Sequence, residues 1–199
     1  MECWNKVKDL YISGRAVRTL VELLGEDKPT AIRIMKFYKI TDDQAPDKFS
    51  INPDEWYDLD RYLHGLKEIQ EKVGEEKVRT VAFTTIQFAP LPSQVRDILS
   101  SLGHMDKAYH LNLSRDGIQT MYESVNGKFQ EGAGRIITDP IPGINKVVCT
   151  STTCFSTAYE SGLISGFAKK FQPNAVVQLD KTKPLKQKGA ESNTFIITW

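Results

Sequence analysis

The side chains able to do chemistry are few and scattered in this chain. Three histidines (His64, His104, His110) and three cysteines (Cys3, Cys149, Cys154) make up its imidazoles and thiols. No two cysteines form a CxxC pair, the spacing a zinc ribbon or a dithiol motif needs. His64 falls on the polar side of a helical pattern, with Asp60 and Glu68 one turn away, and reads as part of a solvated face. His104 directly follows Gly103, where a charge-favoured residue at a helix C-terminus accounts for it. His110 lies in a β-type run, Tyr109–Leu113. Strict alternation there turns Tyr109, Leu111 and Leu113 towards a core or pocket and His110 away from it. Cys149 and Cys154 sit on a strand and at its exit. They line a pocket, titrate as redox thiols, or are plainly buried. Gly132-Ala133-Gly134 is a turn and not a phosphate loop, because no Gly-Lys-Ser/Thr and no helix follows. With no Ser/His/Asp order, no paired carboxylates and no run of metal ligands, the expectation is a binding protein without enzyme activity and without a metal.

The elements that would position these residues divide in two. The first 104 residues read as mainly helical. A helix is expected near 5–24, with Val7, Leu10, Gly14, Val17, Val21 and Leu24 on one face and Gly25 as its stop, and a second from Pro29 to Tyr38. After a polar loop at 41–50, Asn52-Pro53-Asp54-Glu55 supplies a cap, a first-turn proline and acids for a third helix ending at Gly74. Arg79–Phe88 is rich in Val, Thr, Ile and Phe and reads as a strand or as more helix. Ser93 then caps a short helix that stops at Gly103. From 105 to 199 the chain reads as short β-type runs: Ala108–Leu113, Gly117–Glu123, Arg135–Thr138, Lys146–Thr152, Ala175–Leu179 and Thr194–Trp199. A helix at 155–171 interrupts them. The fold class is therefore α+β: a helical N-terminal half packed on a C-terminal antiparallel sheet of four or five strands, with one crossing helix, all within one domain over 1–199. Phe155, Tyr159, Leu163, Phe167 and Phe171 mark one face of that helix. Gly162 and Gly166 make a bald patch, where a sheet, another helix or a flat ligand must come close. Lys181, Lys183, Lys186 and Lys188 read as a solvated basic hairpin.

Charge and hydropathy exclude several classes. Lys+Arg number 26 and Asp+Glu 25, so the basic surplus of a nucleic-acid binder is missing. No apolar run approaches the ~18 residues of a membrane span. The start, MECWNKVKD, lacks the apolar core of a secretory signal. Sparse, odd-numbered cysteines read as reduced thiols in a cytoplasmic protein.

The order Cys154-Phe155, then Gly162-Leu163-Ile164-x-Gly166, then Gly189-Ala190, Phe195, Ile197 and Trp199 resembles the 4-vinyl-reductase-like sensor domains. Those share a superfamily with haem–nitric-oxide-binding (H-NOX) domains and Golgi transport-particle subunits. The resemblance covers about residues 105–199. It implies a pocket between helices and sheet and a role in ligand sensing or protein assembly. Zinc-carrying relatives place cysteines around the last hairpin. This chain has Asp180, Lys181, Asn193 and Thr194 there, so no structural zinc is expected. Tyr122-Glu123-Ser124-Val125-Asn126 mimics the tyrosine-serine-arginine motif that holds haem propionates, but Asn126 replaces its cation. The resulting expectation is a sensor with an apolar pocket lined by Tyr109, Tyr122, Cys149, Cys154, Phe155, Tyr159 and Leu163. It would take a small hydrophobic or aromatic ligand and signal through a partner protein. Two alternatives stand beside it. One is an assembly module that meets another chain or a second copy in a homodimer. The other is a haem-based gas sensor, in which His104 would be the iron ligand.

Overall fold

The structure, a computed structural model, describes residues 7–40 and 50–199. Cys3, the start of the helix expected at 5–24 and the loop residues 41–49 lie outside the described residues. Strand β1 (Tyr11–Ser13) leads into helix α1 (Gly14–Leu23), and the Ser13 hydroxyl caps it by accepting the Ala16 N–H. The helix starts late because β1 pairs with β2 (Trp56–Asp58), Ile12 lying opposite Tyr57. Helix α2 (Lys28–Phe37) carries Pro29 in its first turn. Strand β2 also moves the start of the third helix. Asn52 and Asp54 form a turn, and Asp58 caps α3 (Leu59–Val73) by accepting the Arg61 N–H. Gly74, at φ 89°, ends α3, and α4 (Glu75–Phe88) follows at once.

Two segments settle against local β propensity. Arg79–Phe88 is helix, because Val78, Val81, Ala82 and Ile86 recur at helical spacing and bury that face. Asp97, not Ser93, opens α5 (Ile98–Leu111) in a capping box with Ser100. This helix runs through Gly103 and takes in most of the run expected as a strand. Ile98, Leu102, Met105 and Tyr109 form its buried face, and a Cβ on Gly103 would meet nothing within 4 Å.

Strand β3 (Leu113–Ser114) joins β1 in a small sheet, and β4 (Tyr122–Glu123) pairs with β5 (Lys128–Phe129). The main sheet is antiparallel, built from β6 (Ile136–Pro140), β7 (Lys146–Ser151), β8 (Val176–Leu179) and β9 (Asn193–Thr198) in the order β6-β7-β9-β8. Its register puts Thr138, Cys149, Phe195 and Leu179 in one row on the inner face, with Val147 and Ile197 beside them. Helices α5 and α6 (Thr157–Lys169) lie against this sheet. The architecture is α+β, with helices mostly N-terminal and one helix across a C-terminal four-stranded sheet.

The glycine patch on α6 meets another helix, α4. A Cβ on Gly162 would stand 2.2 Å from the Arg79 carbonyl oxygen and 2.7 Å from the Ala82 Cβ. On Gly166 it would stand 2.7 Å from the Ile86 Cβ. The Gln87 side chain donates to the Gly166 carbonyl at 2.9 Å. Lys170 closes the contact by donating to the carbonyls of Ile86, Gln87 and Ala89, three of the oxygens a helix end leaves free. Among the described residues no helix is long and apolar enough to cross a membrane.

Candidate functional site

A continuous chain of rings crosses the interior. Tyr159 meets Phe155 at 4.8 Å between centroids, Phe155 meets Tyr109 at 5.8 Å, and Tyr109 meets His110 at 5.1 Å. His110 in turn meets Phe129 at 5.0 Å, and Phe129 meets Tyr122 at 5.1 Å. Cations cover the outer end: the Lys107 ammonium lies 4.6 Å from the Tyr122 ring and the Arg135 guanidinium 4.3 Å from Phe129. At the inner end the Tyr62 hydroxyl is buried beside Tyr159 without hydrogen-bond geometry.

His110 is the polar centre of this chain. Helical periodicity turns it inward, so the outward orientation expected from a strand is corrected; its side chain is fully buried. Nδ1 lies 2.8 Å from the Asp106 carbonyl oxygen one turn back, so the Nδ1–H donates there and Nε2 keeps a free lone pair. Nε2 has no hydrogen-bond partner among the described residues. The Asp106 carboxylate is held by Arg135 at 2.6 Å and by the Ile136 N–H at 2.8 Å, which ties α5 to β6. Burial lowers the His110 pKa; the Asp106 carbonyl and charge oppose the shift and Arg135 adds to it. A buried neutral histidine stabilises the fold fully above its unfolded pKa of 6.5, and that stability is lost as pH falls through the depressed folded value. Urea unfolding between about pH 7.5 and about pH 5 should show this loss, and His110→Phe should flatten it. An unchanged slope would assign the effect to His104, whose pKa is lowered by burial and then by Lys107.

A second polar centre lies at the sheet end of α6. Glu160 is 3% exposed. Its Oε1 accepts from the Ser151 and Thr153 hydroxyls, each at 2.6 Å, and pairs with the Lys186 ammonium; its Oε2 accepts from the Asn193 amide at 2.9 Å. Lys186 also donates to the Thr153 carbonyl at 2.8 Å and the Phe155 carbonyl at 3.2 Å. The basic hairpin is therefore only partly solvated: Lys181, Lys183 and Lys188 are exposed, while the Lys186 side chain is 12% exposed and ion-paired. Burial lowers the Lys186 pKa, and Glu160 offsets part of the shift.

Between α3 and the β7–α6 junction opens a cleft of about 510 Å³. Leu63, Leu66 and Gln70 line its α3 side, Cys154, Phe155 and Ser156 the junction, and Lys186 and Gly189 the strap before β9. The Ser156 hydroxyl donates to the Gln70 amide oxygen at 2.6 Å and pins the two walls together. Of the residues expected to line a pocket, Cys154 and Phe155 are in this cleft. Tyr109 and Tyr159 stand behind Phe155, and Tyr122 lies at the far end of the ring chain. Leu163 is half-buried against the core. Cys149 is free and buried on the inner face of the sheet. Burial, followed by the charges of Glu160, Asp139 and Asp106, pushes its thiol up to about 12, so it is not a redox thiol at neutral pH. Cys154 corrects the expectation of reduced, isolated thiols: it is disulfide-bonded. His104 is half-buried on α5, outside both the cleft and the ring chain. Phe129 and Glu160 are not singled out by the sequence, which reads His110 as outward-facing and Lys186 as solvated. Reading 98–111 as helix would have found His110, one turn from Asp106.

Haem is the group that the H-NOX resemblance brings into question. The His110 donor atom has the right form, a neutral nitrogen with its partner nitrogen fixed by a carbonyl. Its surroundings do not. A porphyrin needs an open slot before that nitrogen, and here the rings of Tyr109 and Phe129 pack edge-on against the imidazole, which has no exposed surface. Tyr122-Glu123-Ser124-Val125-Asn126 forms a hairpin turn in which the Asn126 amide is occupied by Glu123 at 2.6 Å. The residues as arranged do not fit a haem. Among the described residues no three of His, Cys, Asp and Glu come together as a metal site.

No protein-family profile matches the chain, and no curated protein matches it. Solved structures do. The chain is similar to a Cs H-NOX mutant with the unnatural amino acid 4-cyano-L-phenylalanine at site 5, at 20% identity and a TM-score of 0.62, over 94% of this chain and 96% of that one. It is similar to an H-NOX protein from S. oneidensis in the Fe(II)NO ligation state, at 15% identity and a TM-score of 0.60, over 94% and 98% of the two chains. A third match is an oxygen-binding H-NOX domain related to soluble guanylate cyclases, at 20% identity and a TM-score of 0.60, over 94% of each chain. Helices, sheet and crossing helix thus follow one plan in all of them, and the chain has the H-NOX-like fold.

Proposed function

We propose that the chain is a sensor domain that takes a small aromatic ligand beside His110, reached from the cleft at Phe155, and signals to a partner protein without a catalytic step of its own. The observation that carries this reading is the unpartnered Nε2 of His110. A buried acceptor left unpaired costs about 1–3 kcal/mol, so a native fold that keeps one gains from a ligand that supplies the donor. The neighbouring rings of Tyr109, Phe129 and Phe155 favour an aromatic body, and the lone pair favours a hydroxyl on it. Phenol should therefore bind more tightly than benzene in a calorimetric titration. His110→Phe should remove that preference, lowering phenol affinity about tenfold or more while leaving benzene nearly unchanged. Equal binding of both ligands to both proteins would sink the assignment of His110. The identity of the partner belongs to the same proposal. The close packing of rings about His110 favours a second reading, an assembly module whose interior is simply filled. Native mass spectrometry separates the two: a retained small molecule supports the sensor, and an empty, stable homodimer supports the module.

A further inference from the structure

Lys186 stands where the cleft and the ring chain meet. The strap around it walls the cleft, and its ammonium reaches back into the β7–α6 junction. Two of its three acceptors are the carbonyls on either side of Cys154, those of Thr153 and Phe155. The third, Glu160, is seated by Ser151 and Thr153 at the end of β7 and by Asn193 at the start of β9. The main chain that carries Phe155 is thus tied to the sheet through one ammonium, beside the disulfide at Cys154. Phe155 lines the cleft and its ring packs edge-on against Tyr109, and Tyr109 is the ring next to His110. We infer that Lys186, seated by Glu160, is the positioning residue that holds Phe155 shut across the route from the cleft to His110. This inference rests on the reading of that route as the ligand path. Opening the route by a main-chain shift at Phe155 displaces its carbonyl and stretches the Lys186 contacts. Lys186 therefore sets how often the route opens, and it does so without touching the ligand. The exposed lysines of the same strap have no such role.

The test needs no natural ligand. Diethyl pyrocarbonate acylates a neutral histidine nitrogen that it can reach, and mass spectrometry reads each histidine separately. His64 is exposed and His104 partly exposed, and they serve as internal references. In the wild type His110 should label slowly. Lys186→Met combined with Glu160→Gln removes the tie together with the charge it would otherwise strand. In that double variant His110 should label about tenfold faster or more, while His64 and His104 stay unchanged. Gly166→Ala, which loosens the α4–α6 contact away from the gate, supplies a destabilised control in which His110 should keep its slow rate. Wild-type labelling in the double variant, or equal acceleration in Gly166→Ala, would overturn the inference. Saturating phenol should slow His110 labelling in the double variant. Fast labelling without protection by phenol keeps the gate and defeats the aromatic-ligand reading. Slow labelling in a protein that binds phenol keeps that reading and defeats the gate.

Discussion

Lys186→Met alone should destabilise the protein by about 3–5 kcal/mol, the cost of stranding one member of a buried ion pair. The effect comes from Glu160. Its carboxylate is almost wholly out of water, and although Ser151, Thr153 and Asn193 still donate to it, they carry no charge to balance it. The carbonyls of Thr153 and Phe155 lose a donor in the same step. Lys186→Met with Glu160→Gln should recover most of the loss, because replacing both charges of a buried pair is close to neutral where breaking it is not. Urea denaturation of the wild type, the two single variants and the double variant closes the cycle. A single Lys186→Met variant within about 0.5 kcal/mol of wild type would mean that the pair is solvated and worth no more than a surface bridge.

Gly162→Ala should also lose stability, by about 1–3 kcal/mol or more, although alanine is the better helix former by about 1 kcal/mol. The opposition between these numbers makes the result decisive. The new Cβ would stand 2.2 Å from a backbone oxygen of α4, an atom that cannot rotate away, so the two helices must part. Gly103→Ala supplies the contrast. It is also a mid-helix glycine, but a Cβ there meets nothing within 4 Å, so propensity alone acts and stability should rise by up to about 1 kcal/mol. Thermal melts of the two variants should move in opposite directions. A shift of the same sign in both would refute the close approach of α4 and α6.

How far the sequence could be read depended on whether the signal was local. Strands β6, β7, β8 and β9 announce themselves through β-branched runs bounded by Gly, Asn, Asp and Pro, and α6 through its four-residue aromatic spacing. The glycine patch pointed to a close neighbour but not to which one, since the neighbour lies about eighty residues away. Composition left strand and helix open at Arg79–Phe88 and misled at 108–111; in both, β-branched and aromatic residues serve a helix because burial against α6 and the sheet outweighs propensity. The error at 108–111 carried His110 with it, because a change of period from two to 3.6 turns a side chain from outside to inside. Strand β2 is three residues long and exists through its pairing with β1, which no local pattern reveals. Lys186 reads as a solvated charge, and no local pattern sets Glu160 apart. Their partners Ser151, Thr153 and Asn193 come together only when β7, β9 and α6 meet, so nothing within one helical turn marked them.

The junction between α4 and α6 has a mechanical side. Two bare glycines set the separation of the helix axes, the Gln87 amide locks their relative slide, and the Lys170 ammonium clamps the far end. The lock and the clamp both oppose shear between two close-packed helices, so α4 and α6 are built as a single strut. The strut's other end is the N-terminus of α6, which carries Tyr159, follows Phe155 and is tied to the sheet through Glu160. A displacement there is not absorbed by sliding along α4; it becomes a rotation about the clamped end. The elements in the path of that rotation are the strap before β9 and the rim of α3, and these are the surfaces on which a bound ligand would be felt from outside.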